Sequence, residues 1–429
     1  MPIVYLDHNA TTPLDPRVLD AMLPWLGERF GNPSSIHRIG QAARNAVEEA
    51  REHVAALIGG RPPEVVFLAS GTEANNTVIG SVVAAGARRS GGVGGMGDVG
   101  GMGGVGGMGD VGGMGGFDGK GGGRPGGHLV ISAVEHPSVR EAAARAERSG
   151  VEVTRVPPGE DGVVPAAAMI AALRPDTVLA CLMLANNEVG TLQPVAAVAA
   201  ECHERGIPVL CDAVQAVGKV PVDASLLGVD FLVLGAHKFG GPLGAAALWV
   251  RGGVELASLL AGGSQERRRR AGTENVPAIV GLGVAAALAQ AEVGSQERPR
   301  QLAALRDRFE AGLAAVPGAI IHGDTAPRLP NTSHVALSGV EGEALLIRLD
   351  LAGFAVSTGS ACSSGTVEPS KTLLAMGLSP EEALSSIRVS FGVANRPEEV
   401  DLFLAALARE AAALRRLTGV EALAGSARG

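Results

Sequence analysis

The sequence predicts an α/β protein: a doubly wound, mostly parallel mixed sheet covered by helices, joined to a smaller α/β unit. Three observations lead there. Between residues 65 and 250, seven short apolar runs alternate with alanine-rich helical segments. Several of these runs are almost continuously apolar, as strands buried on both faces require. The last third instead carries longer helical stretches, such as RPRQLAALRDRFEAGLAAVPG at 298–318, with only a few strands between them. At 429 residues the chain exceeds one simple core, and about two or three domains is the expectation.

The strand candidates, in order, are VVFLAS, HLVISAVEH, VEVTRV, TVLACLMLANNE, IPVLCDAVQ, DFLVLGAHK and GAAALWV. Connecting pieces such as PSVREAAARAERSG have helical periodicity and stop at glycine. The apolar stretch VPAIVGLGVAAALAQA at 276–291 is rich in Ala and Gly and short for a membrane span, so it reads as a buried helix. We expect a large domain over 15–293, and a small one built from 1–14 and 294–429. One segment breaks the pattern. Residues 91–102, GGVGGMGDVGGM, recur unchanged at 103–114, and GGFDGKGGG follows. Glycine at this density buries too little surface to offset its backbone entropy, so 91–123 is expected to be a disordered insert. A surface loop tolerates such an insert because closure cost grows only logarithmically with length.

Composition narrows the function. A net charge of −8 argues against general affinity for nucleic acid. The run QERRRR at 265–270 is local and reads as a solvated loop. The N-terminus, MPIVYLDHNATTP, has no basic region followed by an apolar run, so no membrane association and a cytoplasmic location are the expectation. Four cysteines without paired spacing argue against a disulfide framework or a zinc site. Cys181 and Cys211 fall in apolar strands and Cys202 in a helix. Only Cys362, in STGSACSSG, is flanked by loop-forming residues.

Ligands of doubly wound sheets gather at the carboxyl ends of the strands. Here five candidate ends are polar: SGTEANN (70–76), EHPSV (135–139), NNEVG (186–190), DAVQ (212–215) and GAHKFGGP (235–242). The chain has four lysines, at 120, 219, 238 and 371. Lys120 lies in the insert, Lys371 near a helix start, and Lys219 in a turn. Lys238 alone follows an apolar strand and stands beside His237 and a Gly-Gly-Pro turn. Desolvation at such a place lowers a lysine's pKa and makes it a usable amine nucleophile. With an aspartate on a nearby strand, it fits an aldehyde cofactor bound as a Schiff base.

These residues carry a resemblance. YLDHNATTP, GNPSSIHRIGQAAR, SGTEANN, EHPSV, NNEVGTLQPV, DAVQAVGK, AHKFGGP, RAGTEN, GSACSSGTVEPS and SSIRVSFG stand in the order in which they occur in cysteine desulfurases of the NifS/IscS type. That group is part of the class V pyridoxal-phosphate enzymes, with the fold type I transferase architecture. The resemblance spans nearly the whole chain and omits only the glycine insert. It implies pyridoxal 5'-phosphate on Lys238, with Asp212 at the pyridine nitrogen, Gln215 at the ring hydroxyl and His136 over the ring. Gly71, Thr72 and His237 would hold the phosphate, and Thr273 would reach the phosphate of a second subunit in a homodimer. Asn187 and Arg388 would hold the substrate carboxylate, with Asn187 also against the cofactor. Cys362 would take sulfur from L-cysteine as a persulfide, release L-alanine, and deliver the sulfur to an acceptor such as an iron–sulfur scaffold. No metal is implied beyond transient contact of Cys362 with a cluster. The main alternatives are a selenocysteine lyase or another class V enzyme. Gly235 and Leu243 depart from the family pattern, which has serine and lysine there.

Overall fold

The computed structural model describes residues 3–90, 127–359 and 368–419. The glycine insert and Cys362 therefore lie outside the described residues. The chain begins with β1 (Val4–Tyr5), then α1 (Pro16–Leu26) and α2 (Arg38–Leu57). Seven strands follow: β2 (Val65–Leu68), β3 (His128–Ser132), β4 (Glu152–Val156), β5 (Thr177–Cys181), β6 (Val209–Asp212), β7 (Phe231–Gly235) and β8 (Ala246–Val250). They form one sheet in the order β2-β8-β7-β6-β5-β3-β4. The pairs β3–β4, β3–β5, β5–β6 and β6–β7 are parallel, whereas β8 runs antiparallel to both β2 and β7. Every strand but β8 therefore points the same way, and six carboxyl ends share one edge of the sheet.

The sheet is buried on both sides, as the continuous apolar runs require. One face packs α2 and the apolar helix Val276–Gly294 with the side chains of Phe67, Ala180, Leu232 and Trp249. The other face packs α3 (Gly71–Ser90) and α4 (Pro137–Arg148) over Val66, Leu129, Leu179, Phe231 and Leu248. The helix Val276–Gly294 is long and apolar enough to cross a membrane by length and composition. Here Leu282, Ala285, Ala286 and Ala289 are buried in the core. Gly283 is what allows α2 to approach, since a Cβ there would stand 2.5 Å from the Cα of Ala50.

A second core joins Leu6 near the N-terminus to residues 302–411. Its strands are β9 (Ala319–Ile321), β10 (Thr332–Leu337), β11 (Phe354–Ala355) and β12 (Ser386–Ser390). β10 lies between β9 and β12, antiparallel to both, and β1 pairs in parallel with β11. Helices 297–312, 342–351 and 397–418 cover them, with Phe309, Phe391 and Phe403 at the centre. Asn9 ties the two cores together, bonding Thr332 and Ser390 on one side and Gln215 and Lys219 on the other.

The run QERRRR is not the solvated loop that its charge suggests. Glu266 is buried, accepts two hydrogen bonds from Arg51 at 2.7 and 2.8 Å, and caps the backbone N–H of Phe67 at 2.9 Å. Glu266, Arg267 and Arg268 all have positive φ, between 46° and 66°. Such left-handed geometry in non-glycine residues is strained, and the buried ion pair helps to hold it.

Candidate active site

Five elements bring their ends to one cavity of about 230 Å³, lined by Ser70, Gly71, Thr72, His136, Ser138, Met183, Asn187, Asp212, Val214, Gln215, His237 and Lys238. Eight of the predicted site residues thus line one cavity: Gly71, Thr72, His136, Asn187, Asp212, Gln215, His237 and Lys238. Each arrives for a local reason. Ser70 opens α3 by accepting the N–H of Glu73 through its hydroxyl, while the Glu73 carboxylate accepts the N–H of Ala69. That reciprocal cap leaves the first N–H groups of a 20-residue helix facing the cavity, an anion seat. Gly71 is tightly packed, since a Cβ would stand 3.1 Å from a Val214 methyl. His136 caps α4 by accepting the Ser138 N–H at its Nδ1, 3.2 Å away.

Lys238 follows β7, and its Nζ donates to the carbonyls of Asn9 at 2.6 Å and Ala10 at 2.9 Å. Burial and the positive charge of Arg388 lower its pKa to about 8, against the pull of Asp212 and Asp7. A neutral, nucleophilic amine is therefore accessible near neutral pH. Asp212 ends β6, and its carboxylate accepts from Asn75 Nδ2 at 2.8 Å and from the Val214 N–H at 3.1 Å. Asn75 also donates to Ser138, which bonds His136, so the imidazole and the carboxylate share one chain of polar contacts. Burial lowers the pKa of His136 and Asp212 opposes it. His237 is held to about 4 by burial and Lys238, and contacts Thr11 at 3.2 Å.

Arg388, on β12, is buried, forms a 2.6 Å ion pair with Asp7, and donates to the carbonyl of Asn187 at 2.9 Å. Its Nε is buried without a hydrogen-bond partner among the described residues. The segments on either side of residues 360–367 are both fastened beside this cavity. Ser357 pairs with Arg388 by two backbone hydrogen bonds, and Ser370 and Thr372 donate to the buried Glu188, next to Asn187. Thr273 is exposed and does not line the cavity. Gly235 is not required sterically: a Cβ there would find only ordinary contacts, at 3.7 Å or more. Leu243 is 72% exposed and away from the cavity.

The described cysteines are unsuited to sulfur chemistry. Burial pushes the thiols of Cys181 and Cys211 well up, and that of Cys202 to about 11. A thiolate is the reactive form, so Cys362 is the remaining candidate. Four functional neighbours were not evident in the sequence reading: Asn9, Asn75, Ser138 and Lys219. All four lie inside quoted motifs, YLDHNATTP, SGTEANN, EHPSV and DAVQAVGK, but the contacts that join them, Asn75 to Ser138 and Asp212 and Lys219 to Asn9, are long-range. Lys219 is in a turn, as expected, yet only 4% exposed.

The donor set is therefore an amine with a lowered pKa and a buried carboxylate lining one cavity, with an imidazole and a helix start for an anion. The chain belongs to the class V aminotransferase family, whose model matches residues 4–91 and 119–403 and passes over most of the glycine insert. Among curated relatives, it is 40% identical over 401 residues to cysteine desulfurase IscS of Methanosarcina thermophila, covering 94% of this chain and 90% of that one. A solved NifS-like protein superimposes with a TM-score of 0.81 at 33% identity, covering 95% of this chain and 98% of that one. SspA, solved in complex with cysteine, gives 0.73 at 30% identity, covering 90% and 98%.

Proposed function

We propose that this chain is a pyridoxal 5'-phosphate-dependent cysteine desulfurase, which moves sulfur from L-cysteine to Cys362 and releases L-alanine. The observation that carries it is the Lys238 amine at the end of β7, sharing one cavity with the Asp212 carboxylate and the anion seat of α3. That set fits a phosphorylated pyridine aldehyde group by group. The names of the relatives and the cysteine held by SspA support the substrate. When bound, the cofactor supplies an electron sink for the substrate's α-carbon.

The chain's own residues do the rest. Gly71, Thr72 and His237 hold the phosphate. Asp212 would keep the ring nitrogen protonated and Gln215 would donate to the ring hydroxyl. His136 would stand over the ring. Lys238 would hold the aldehyde and, as a free amine, move the substrate's α-proton. Asn187 and Arg388 take the substrate carboxylate, for which the guanidinium fork is suited. The Cys362 thiolate attacks the substrate sulfur, so that an S–S bond forms as the C–S bond breaks. Protons from Lys238 and His136 then complete alanine. The anchoring of Ser357 to Arg388 and of Ser370 to Glu188 starts and ends the Cys362 segment beside the cavity.

The reading extends to a large domain over 15–293, a small one from 1–14 and 294–429, and a cytoplasmic homodimer that serves a sulfur-acceptor protein. Exposed Leu26, Phe30 and Ile36 offer the apolar surface a second subunit would cover, and exposed Thr273 would meet that subunit's phosphate. The test is Cys362→Ala. The variant should bind cofactor with the wild-type visible spectrum and bind L-cysteine, yet nearly cease to release alanine. Wild type exposed briefly to L-cysteine without reductant should carry one extra sulfur on the Cys362 peptide by mass spectrometry. Alanine release by the variant at the wild-type rate would sink the proposal.

A further inference from the structure

Lys219 is a buried amine that the proposed reaction does not use. It sits in the turn after β6, four residues beyond Gln215, between the cofactor cavity and a second, largely apolar cavity of about 190 Å³. Its Nζ donates to Gln215 Oε1 at 2.7 Å and to Asn9 Oδ1 at 3.0 Å. Burial and the charge of Lys238 push its pKa well below the ordinary lysine value. For stability alone a methionine would serve better here, because a desolvated amine is unfavourable in a protein interior. Its effect has to be sought in what it touches.

The hydrogen bonds around it have only one consistent arrangement. The main-chain carbonyl of Asn9 is an acceptor, so the Gln215 end that meets it at 2.8 Å must be the NH₂ group. The other end, the amide oxygen, then faces the Lys219 donor. One Nε2 hydrogen is spent on Asn9, and the second is available to the cavity that Gln215 lines with Asp212 and Lys238. Asn9 is fixed in the same manner. Its Nδ2 donates to Thr332 Oγ1 at 2.9 Å and the Asn187 carbonyl at 3.2 Å, while its Oδ1 accepts from Asn331 and Lys219. The same Asn9 carbonyl that orients Gln215 also accepts the Lys238 amine at 2.6 Å.

We propose that Lys219 is a positioning residue for this site: it locks Gln215 as a hydrogen-bond donor into the cofactor cavity and holds Asn9, whose carbonyl seats the free amine of Lys238. The inference rests on reading the cavity as a pyridoxal-phosphate site. Without the Lys219 donor, the Gln215 amide oxygen is left buried and unpaired, and the side chain rotates away to find water or another donor. The cofactor's ring oxygen then loses its neutral donor, and the resting position of the Lys238 amine loosens.

The experiment compares Lys219→Met, Gln215→Leu and the double variant with wild type, all as full chains reconstituted with pyridoxal phosphate. Three readouts are taken: the visible absorption maximum of the substrate-free enzyme, the rate of cofactor uptake by the apoprotein, and the melting temperature. Lys219→Met should melt close to the wild-type temperature, because relief of the buried amine offsets the unpaired Gln215 oxygen, yet show the spectral displacement of Gln215→Leu and take up cofactor about tenfold more slowly, the scale of one lost hydrogen bond to a charged partner. Acting through Gln215, the lysine should displace the spectrum no further in the double variant. Leu282→Ala, a core truncation away from the site, should lower the melting temperature and leave the spectrum in place. A wild-type spectrum and uptake rate in Lys219→Met would overturn the proposal, as would additive spectral displacements in the double variant. If Lys219→Met does not fold, Lys219→Gln, whose shorter side chain cannot span both acceptors, is judged by the same readouts. Failure of the wild type itself to take up pyridoxal phosphate would instead overturn the functional reading.

Discussion

Replacing Arg388 with glutamine should make the Lys238 amine more basic. In the intact protein the pKa of the amine is lowered to about 8 from its ordinary 10.5, a difference equivalent to roughly 3 kcal/mol against the charged form. Desolvation is the largest cause and the positive charge of Arg388 the next. Burial stays when Arg388 is replaced, so most of the depression should persist. Two changes push the other way: the cation disappears, and the Asp7 carboxylate is freed from its 2.6 Å ion pair and favours the ammonium more strongly. A midpoint raised by about one, or ~1.4 kcal/mol, is the expected result. The assay is pulse acylation of the apoprotein across a pH series, with quantification of the modified Lys238 peptide by mass spectrometry, because only the neutral amine reacts. The sign also appears in stability. Between about pH 8 and 10.5 the unfolded chain holds a proton on Lys238 that the folded chain has lost, so this residue makes the apoprotein more stable as pH rises through that window. A wild-type midpoint near 10.5, or a variant midpoint that falls or stays put, would refute the electrostatic account of this amine.

Three further outcomes are expected. Lys238→Ala should abolish the visible absorbance of covalently held cofactor, although phosphate contacts can retain some pyridoxal phosphate; a borohydride-fixed adduct at another lysine would show that the amine lies elsewhere. Deleting residues 91–123 should leave the melting temperature, subunit assembly and alanine release near wild type, as measured side by side on the purified proteins, since this repeat has no counterpart over most of its length in the family model. Glu266→Ala should destabilise the fold by roughly 3 kcal/mol in denaturant unfolding, because it leaves the buried Arg51 guanidinium only the half-exposed Glu48 carboxylate and the Val65 carbonyl.

The sheet and the cavity could be read from the sequence because both follow from local patterns. All seven apolar runs became the seven strands, and the polar residues after five of them line the same cavity. The reversed direction of β8 escaped the apolar pattern, which is the same for either direction. Its signal lay in the connection: only ten residues separate Gly235 from Ala246, and a parallel return needs a dozen or more. QERRRR misled for a related reason. A charge run describes only its own neighbourhood, whereas Glu266 finds Arg51 215 positions away. Lys219 and Asn9 were hidden by the same distance, since nothing within AVGK or DHNATT tells that the two side chains meet. Lys238 was legible because a lone lysine after an apolar strand is locally unusual, whereas its acceptors, the carbonyls of Asn9 and Ala10, have no side-chain signature at all.

The seat of the Lys238 amine also sets an order of events during synthesis. Asn9 leaves the ribosome long before its partners do: its backbone N–H is bound by Ser390, 381 positions later, and its side chain by Thr332. The sheet that bears Lys238 ends at Val250, so a nascent chain can complete it while Asn9 still lacks these partners. The lysine is thus made well before its surroundings are. Only when β12 emerges and closes on the N-terminal segment does the amine acquire the carbonyl that holds it, so a chain released short of that strand would carry the reactive lysine without the means to aim it. The seating of the Lys238 amine becomes a late checkpoint that reports on the arrival of β12.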